Sequence, residues 1–193
     1  MGEQKVVTLG EAMIRLSPPD SHRLEQASSF DAIVGGGELN VAVGVARLGL
    51  ESAWVSKLPR NALGLMVRNK AREQGVDTSN IVWSDSGRVG LYFLEFGASP
   101  RASSVLYDRA NSAISTLALG EVDWKKTLDG CQVFHVSGIT PALSKSCAEA
   151  TLEAVKAAKA SGAKVSFDVN YRKKLWTPDE ANACLVPMME FVD

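Results

Sequence analysis

The sequence predicts an α/β domain built from parallel βαβ units, with a small β-sheet appended and with the main sheet ending before it is complete. Three observations carry that reading. Short apolar runs alternate with helix-length segments that stop at glycine. Two stretches, about 11–34 and about 88–110, carry hairpin rather than helix signals. The last residues, Met188 to Asp193, fall where a helix should hand over to a further strand, so the chain reads as cut short.

The elements follow in order. Lys5 to Leu9 is an apolar run before Gly10 and predicts a buried strand. Ser17-Pro18-Pro19-Asp20 is a turn, and Phe30 to Val34 leads as a strand into Gly35-Gly36-Gly37. From Asn40 to Leu48 the residues Val41, Val45 and Leu48 recur at helical spacing, and Gly49 stands where the helix stops. Ala53 to Ser56 reads as a strand, and Asn61 caps a helix running to about Gln74. Val89 to Phe96 and Ser104 to Tyr107 form a hairpin around Gly97 to Pro100. Val133 to Val136 is a compact buried strand. Ser144 caps an alanine-rich helix to about Ala160, and Lys164 to Val169 is a strand. Thr177-Pro178-Asp179-Glu180 places a cap, a first-turn proline and a capping-box glutamate ahead of a helix to about Glu190.

Composition narrows the function classes. With 193 residues, 46% hydrophobic and 22% charged, the chain is an ordinary globular one. A net charge of -1 without a basic stripe argues against nucleic acid or an anionic membrane surface as partner. Cys131, Cys147 and Cys184 are odd in number and lack a CxxC pair, so they read as reduced thiols of a cytoplasmic protein. The start, Met1 to Val6, shows no signal-peptide core and no myristoylation pattern. No apolar run reaches membrane-spanning length.

Three clusters are candidates for chemistry. Gly35-Gly36-Gly37-Glu38-Leu39-Asn40 joins a strand to a helix, so backbone N–H groups can approach a ligand unobstructed. It is neither a dinucleotide motif, because Asn40 replaces the third glycine, nor a P-loop. A plain tight turn accounts for it equally well. Asp168-Val169-Asn170-Tyr171-Arg172 closes a predicted parallel strand, where ligands of open α/β sheets collect. Arg172 suits an anion and Asn170 offers donor and acceptor, against the alternative of a solvated Asp-centred loop. Tyr92, Tyr107 and Arg109 would suit a carboxylated polyol if the tyrosines share a face, or else form a surface aromatic pair. His135, between Phe134 and Val136, reads as a hydrogen-bonded core histidine, and no metal-ligand spacing occurs.

Taken in order, these motifs resemble the PfkB/ribokinase family of carbohydrate kinases, and within it most closely the 2-keto-3-deoxygluconate kinases. The resemblance rests on Gly35 to Asn40 followed by Ala46-Arg47-Leu48-Gly49, on Leu9-Gly10-Glu11, and on Gly90-Leu91-Tyr92. It continues through Tyr107-Asp108-Arg109, His135 to Leu143, and Asp168 to Arg172, spanning essentially the whole chain. It implies a ribokinase-like, Rossmann-type three-layer core with a β-sheet lid made by about 11–34 and about 88–110 of a single 1–193 domain. It implies substrate contacts from Gly36, Gly37, Tyr92, Tyr107, Asp108, Arg109, Ile139 and Arg172, with Asn40 supporting the glycine turn or binding a hydroxyl. Asn170, Tyr171 and Arg172 would border the phosphates of ATP, Mg2+ would accompany the nucleotide, and lid sheets would pair two copies as a homodimer.

The resemblance also implies what the chain lacks. The family's Asp-Thr-x-Gly-Ala-Gly-Asp segment, which supplies the anion hole and catalytic base, is absent, as is its Asn-x-x-Glu segment. Arg15 stands where relatives carry acidic or neutral residues. The expectation is therefore a sugar-acid site without transfer activity of its own. A neutral-sugar kinase such as a fructokinase, a non-catalytic sugar-binding or dimerising module, and a dinucleotide-binding oxidoreductase domain are the rivals. Arg109 and Arg172 favour an acidic acceptor, on the argument that a buried guanidinium left unpaired is costly.

Overall fold

The computed structural model describes residues 5–193. The reading of the N-terminal start therefore lies largely outside the described residues. Among the described residues ten strands and six α-helices follow one another, beginning with β1 (Lys5–Leu9), β2 (Met13–Ser17) and β3 (Asp31–Gly35). Next come α1 (Gly37–Arg47), β4 (Glu51–Val55), β5 (Lys57–Pro59), α2 (Ala62–Glu73), β6 (Val82–Ser84), β7 (Gly90–Glu95) and β8 (Ser104–Asp108). The chain closes with α3 (Trp124–Thr127), β9 (Cys131–Ser137), α4 (Ile139–Ala142), α5 (Lys145–Ala160), β10 (Lys164–Asp168) and α6 (Pro178–Met189).

The main sheet has strand order β10-β9-β1-β4 and every pairing is parallel. Its strands are apolar because both faces are covered. On one face Val7, Leu9, Phe134, Val136 and Val165 pack with Ala150, Ala154, Val155 and Ala158 of α5. On the other, Leu39 and Ala42 of α1 join Trp54, Val67 and Ala71 of α2. Trp54 is fully buried, and its indole N–H satisfies itself on the Gly10 carbonyl at 3.2 Å. The strand order reverses about β1, so the ends of β1 and β9 diverge into a crevice of the kind that receives ligands in such sheets.

The second sheet has order β3-β2-β7-β8. Its outer pairings are antiparallel and β2 runs parallel to β7, so the two hairpin-rich stretches meet side by side. Tyr92 and Tyr107 stand directly opposite each other, with Arg15 next to Tyr92 in the same row. Short parallel strands β5 and β6 make a third, two-stranded sheet that the sequence pattern does not disclose.

Local chemistry explains the helix starts. Ser144 accepts from the Cys147 N–H at 3.1 Å, Asn61 from Gly64 at 3.0 Å, and Thr177 with Glu180 forms the full capping box. The start of α1 departs from expectation. It begins at Gly37 rather than Asn40, with Gly36 as a cap that has no side chain. Packing fixes that start, since Asn40 N–H bonds the Gly36 carbonyl at 2.8 Å while Glu38 and Leu39 are already buried. His135 is half-buried rather than a full core residue; its Nδ1 lies 3.0 Å from Ser166 Oγ. Desolvation holds its pKa below the ordinary imidazole value, opposed by Asp168.

Candidate active site

A cavity of about 1020 Å³ opens between the lid sheet and the C-terminal ends of β1, β9 and β10. Gly36, Gly37, Asn40, Tyr92, Tyr107, Asp108, Arg109, Ile139, Asn170, Tyr171 and Arg172 all line it. Five separate stretches of chain, nominated from the sequence by residue chemistry or by the family resemblance, therefore share one space. The start of α1 forms one wall. Because Gly36 caps without a side chain, first-turn N–H groups of the helix have no side-chain acceptor there. The same geometry suits a hydroxyl or an anion.

Gly36 is demanded by space. Its backbone is extended (φ -171°), which any residue adopts, but a Cβ would stand 2.2 Å from the Glu11 carbonyl oxygen and 2.9 Å from Ala12 Cα. A methyl on Gly37 would instead stand 3.9 Å from Asn170 Nδ2, an ordinary contact, and this places the loop after β10 beside the glycine turn. Asn170 takes the left-handed region (φ 40°) and its N–H donates to Asp168 Oδ1 at 2.9 Å, an Asx turn that aims the following residues at the cavity.

The lid supplies the facing wall. The Tyr92 and Tyr107 rings lie 5.9 Å apart and tilted by 32°, so the two phenols do share a face. Arg15, in the same row, turns its guanidinium over Phe96 at 5.6 Å and does not line the cavity. Asp108 lines the cavity, yet its carboxylate is engaged by both terminal nitrogens of Arg88 at 2.6 Å. That guanidinium holds the Asp108 carboxyl below the usual range.

Two residues that the sequence presents merely as motif members prove to be the floor of the site. Glu11 is almost wholly buried and forms an ion pair with Arg109. Glu38 is equally buried; desolvation raises its pKa, opposed by hydrogen bonding from Ser137 and by the charge of Arg109. Their carboxylates occupy space that side chains at Gly90 and Gly10 would otherwise fill. This corrects one sequence argument: Arg109 already has a counter-charge, so its burial by itself does not demand an acidic ligand. Arg172 differs. It is exposed and its guanidinium meets a neutral acceptor, the Tyr171 carbonyl at 3.3 Å. Among the described residues no three His, Cys, Asp or Glu side chains converge as a metal cluster.

The sequence profile described as pfkB family carbohydrate kinase matches residues 3–192. A 2-dehydro-3-deoxygalactonokinase of Haloferax volcanii is 44% identical over 181 residues, covering 93% of this chain and 56% of that protein. The crystal structure of a 2-dehydro-3-deoxygluconokinase from Thermotoga maritima superposes with a TM-score of 0.95 at 50% identity, over 98% of this chain and 58% of the other. An uncharacterized sugar kinase from Pyrococcus horikoshii, solved in complex with ATP, superposes at 0.86 with 25% identity, over 97% of this chain and 61% of that one. The chain thus spans little more than half the length of these relatives. Its fold is that of ribokinase-like kinases, and the chain belongs to the pfkB family of carbohydrate kinases.

Proposed function

We propose that this chain provides the acceptor site, and part of the nucleotide surroundings, of an ATP-dependent kinase for a keto-deoxy sugar acid of the 2-keto-3-deoxygluconate type. The observation that carries this reading is the single cavity walled by the α1 N-terminus, the tyrosine pair and the guanidinium of Arg172. Tyrosine hydroxyls and first-turn N–H groups suit the acceptor's hydroxyls, and Arg172 suits a carboxylate or phosphate. The names of the relatives from Haloferax and Thermotoga point to the same class of acceptor.

In the reaction, a primary hydroxyl oxygen of the acceptor bonds the γ-phosphorus of ATP, ADP leaves, and the hydroxyl proton passes to a base. Transfer of this kind depends on positioning and on neutralising charge. The residues of this chain orient the acceptor and, with the lid over it, exclude water. Neither the base nor the anion hole is among them, so the 193 residues alone transfer no phosphoryl group. Asn170, Tyr171 and Arg172, just after β10, line the cavity and would border the phosphates of a bound nucleotide. Among the described residues no cluster of carboxylates could hold a metal by itself, and Mg2+ would accompany the nucleotide and neutralise its phosphate charge.

A neutral-sugar acceptor is the second reading, and the ion pair of Arg109 with Glu11 favours it, since a neutral ligand then leaves no charge stranded. Calorimetric titration decides between them. We expect 2-keto-3-deoxygluconate to bind, fructose to bind at least ten-fold more weakly, and Arg172→Ala to abolish the preference. Equal affinity for the two sugars would end the sugar-acid reading, and phosphorylation of either sugar by the chain with ATP would end the claim that the base is lacking.

The reading extends to assembly and location. Ile33, Phe96 and Val105 leave apolar surface on the lid, and we propose that two copies pair there. A single monomer mass in sedimentation at micromolar concentration would refute it. The three cysteines carry no disulfide, in keeping with a proposed cytoplasmic location. Among the described residues no helix is long and apolar enough to cross a membrane.

A further inference from the structure

Most cations near the cavity already have a partner. Arg109 is held by Glu11 and Arg88 by Asp108, and elsewhere Lys57 is held by Glu121 and Arg101 by Glu95. The segment after β10 is different. Arg172, Lys173 and Lys174 are consecutive, exposed and all part of the cavity wall, and among the described residues none of the three has a carboxylate within ion-pair distance. The segment is nonetheless well defined. It is anchored by the Asx turn at Asn170, by Leu175 N–H on the Arg172 carbonyl at 2.9 Å, and by Tyr171 Oη donating to the Trp176 carbonyl at 3.2 Å. Lys174 reaches across the cavity mouth, its ammonium 5.6 Å from the centre of the Tyr107 ring in the lid. A cation resting on an aromatic face is held weakly at an exposed site and is readily handed to an anion.

We infer that Lys173 and Lys174 extend Arg172 into an anion subsite on the rim of the cavity, recognising either the carboxylate of the acceptor or the phosphates of the nucleotide. The inference rests on the proposed kinase reading for the identity of those two anions, while the subsite itself stands on three adjacent unpaired cations facing one cavity. Because Lys174 also touches Tyr107, an anion seated there would draw the core segment and the lid toward the same ligand.

The test is calorimetry on the whole chain with two probes, 2-keto-3-deoxygluconate and inorganic tripolyphosphate, comparing wild type, Lys173→Met, Lys174→Met and the double variant. Methionine keeps the apolar stem and removes the charge. One charge contact in a solvated setting is worth about five-fold in affinity, so each single variant should lose about that factor and the double about 25-fold. The loss should shrink as salt is raised from 50 to 500 mM, which a merely structural role would not produce. Lys174→Arg should keep the affinity. Loss confined to the sugar acid assigns the rim to the acceptor's carboxylate, and loss confined to tripolyphosphate assigns it to the nucleotide. Wild type that binds tripolyphosphate but no sugar acid, with the rim loss intact, preserves the subsite and refutes the sugar-acid reading. Unchanged affinity of the folded variants for both probes, or binding of neither probe by wild type, overturns the subsite.

Discussion

Replacing Gly36 by alanine perturbs the wall of the site with a single methyl. That methyl would stand 2.2 Å from the Glu11 carbonyl oxygen, 2.9 Å from Ala12 Cα and 3.1 Å from the Glu11 carbonyl carbon. All three are backbone atoms of the segment between β1 and β2, so no rotamer change relieves the clash. To reach ordinary contact the start of α1 must retreat by about 1 Å, the kind of overpacking that costs about 1–3 kcal/mol. For a domain of this size that is a fall of roughly 3–10 °C in Tm, read by circular dichroism. The retreat also draws first-turn N–H groups away from the cavity. Losing one or two hydrogen bonds there weakens sugar-acid binding by about ten-fold. Gly44, in the same helix, is the control. It is exposed, no atom lies within 4 Å of the Cβ it would gain, and alanine there should stabilise by about 0.5–1 kcal/mol. If Gly36→Ala melts and binds like wild type, the close approach of Glu11 to the glycine turn is not what shapes this wall.

Four further outcomes follow from the same geometry. Glu11→Ala leaves the Arg109 guanidinium buried without a counter-charge and should cost about 3–5 kcal/mol in urea unfolding, and a cost below about 1 kcal/mol would contradict the ion pair. Ser144→Ala removes the acceptor for the Cys147 N–H and should lower the stability of the domain by about 1 kcal/mol. The raised pKa of Glu38 means its contribution to stability is complete below the ordinary carboxylate pKa and is lost as pH climbs through the folded-state value. Glu38→Gln should therefore gain on wild type with increasing pH in parallel melts, and a constant difference across pH would count against a carboxyl whose pKa is raised by burial. His135 has the opposite sign. Its depressed pKa contributes stability that is present above the ordinary imidazole value near 6.5 and lost as pH falls toward the folded-state value, so His135→Gln should flatten the stability profile below about pH 6.5.

Much of the fold was legible because its signals are local. The Ser144, Asn61 and Thr177 caps, the apolar runs of β1 and β9, and the aromatic hairpin of β7 and β8 are each written within a few residues. Strands β5 and β6 were not, because three residues give no period and their pairing is supplied by neighbours. The start of α1 was misplaced for a related reason. Glycine is a poor helix former, and burial of Glu38 and Leu39, not propensity, begins the helix at Gly37. In the site, the lining residues were legible through motif resemblance, whereas the floor was not. Glu11 and Arg109 are 98 positions apart, and no local pattern announces that one neutralises the other. That pairing also removes the argument from Arg109 to an acidic ligand and moves the burden to Arg172 and its neighbours.

The account stands on one cavity receiving the acceptor. A crystal structure of the chain grown with 2-keto-3-deoxygluconate tests this most directly. Ligand density enclosed by Gly36, Tyr92, Tyr107 and Arg172, with the carboxylate toward the segment after β10, is the predicted result. Density seated elsewhere on the chain, with this cavity holding water alone, would contradict it.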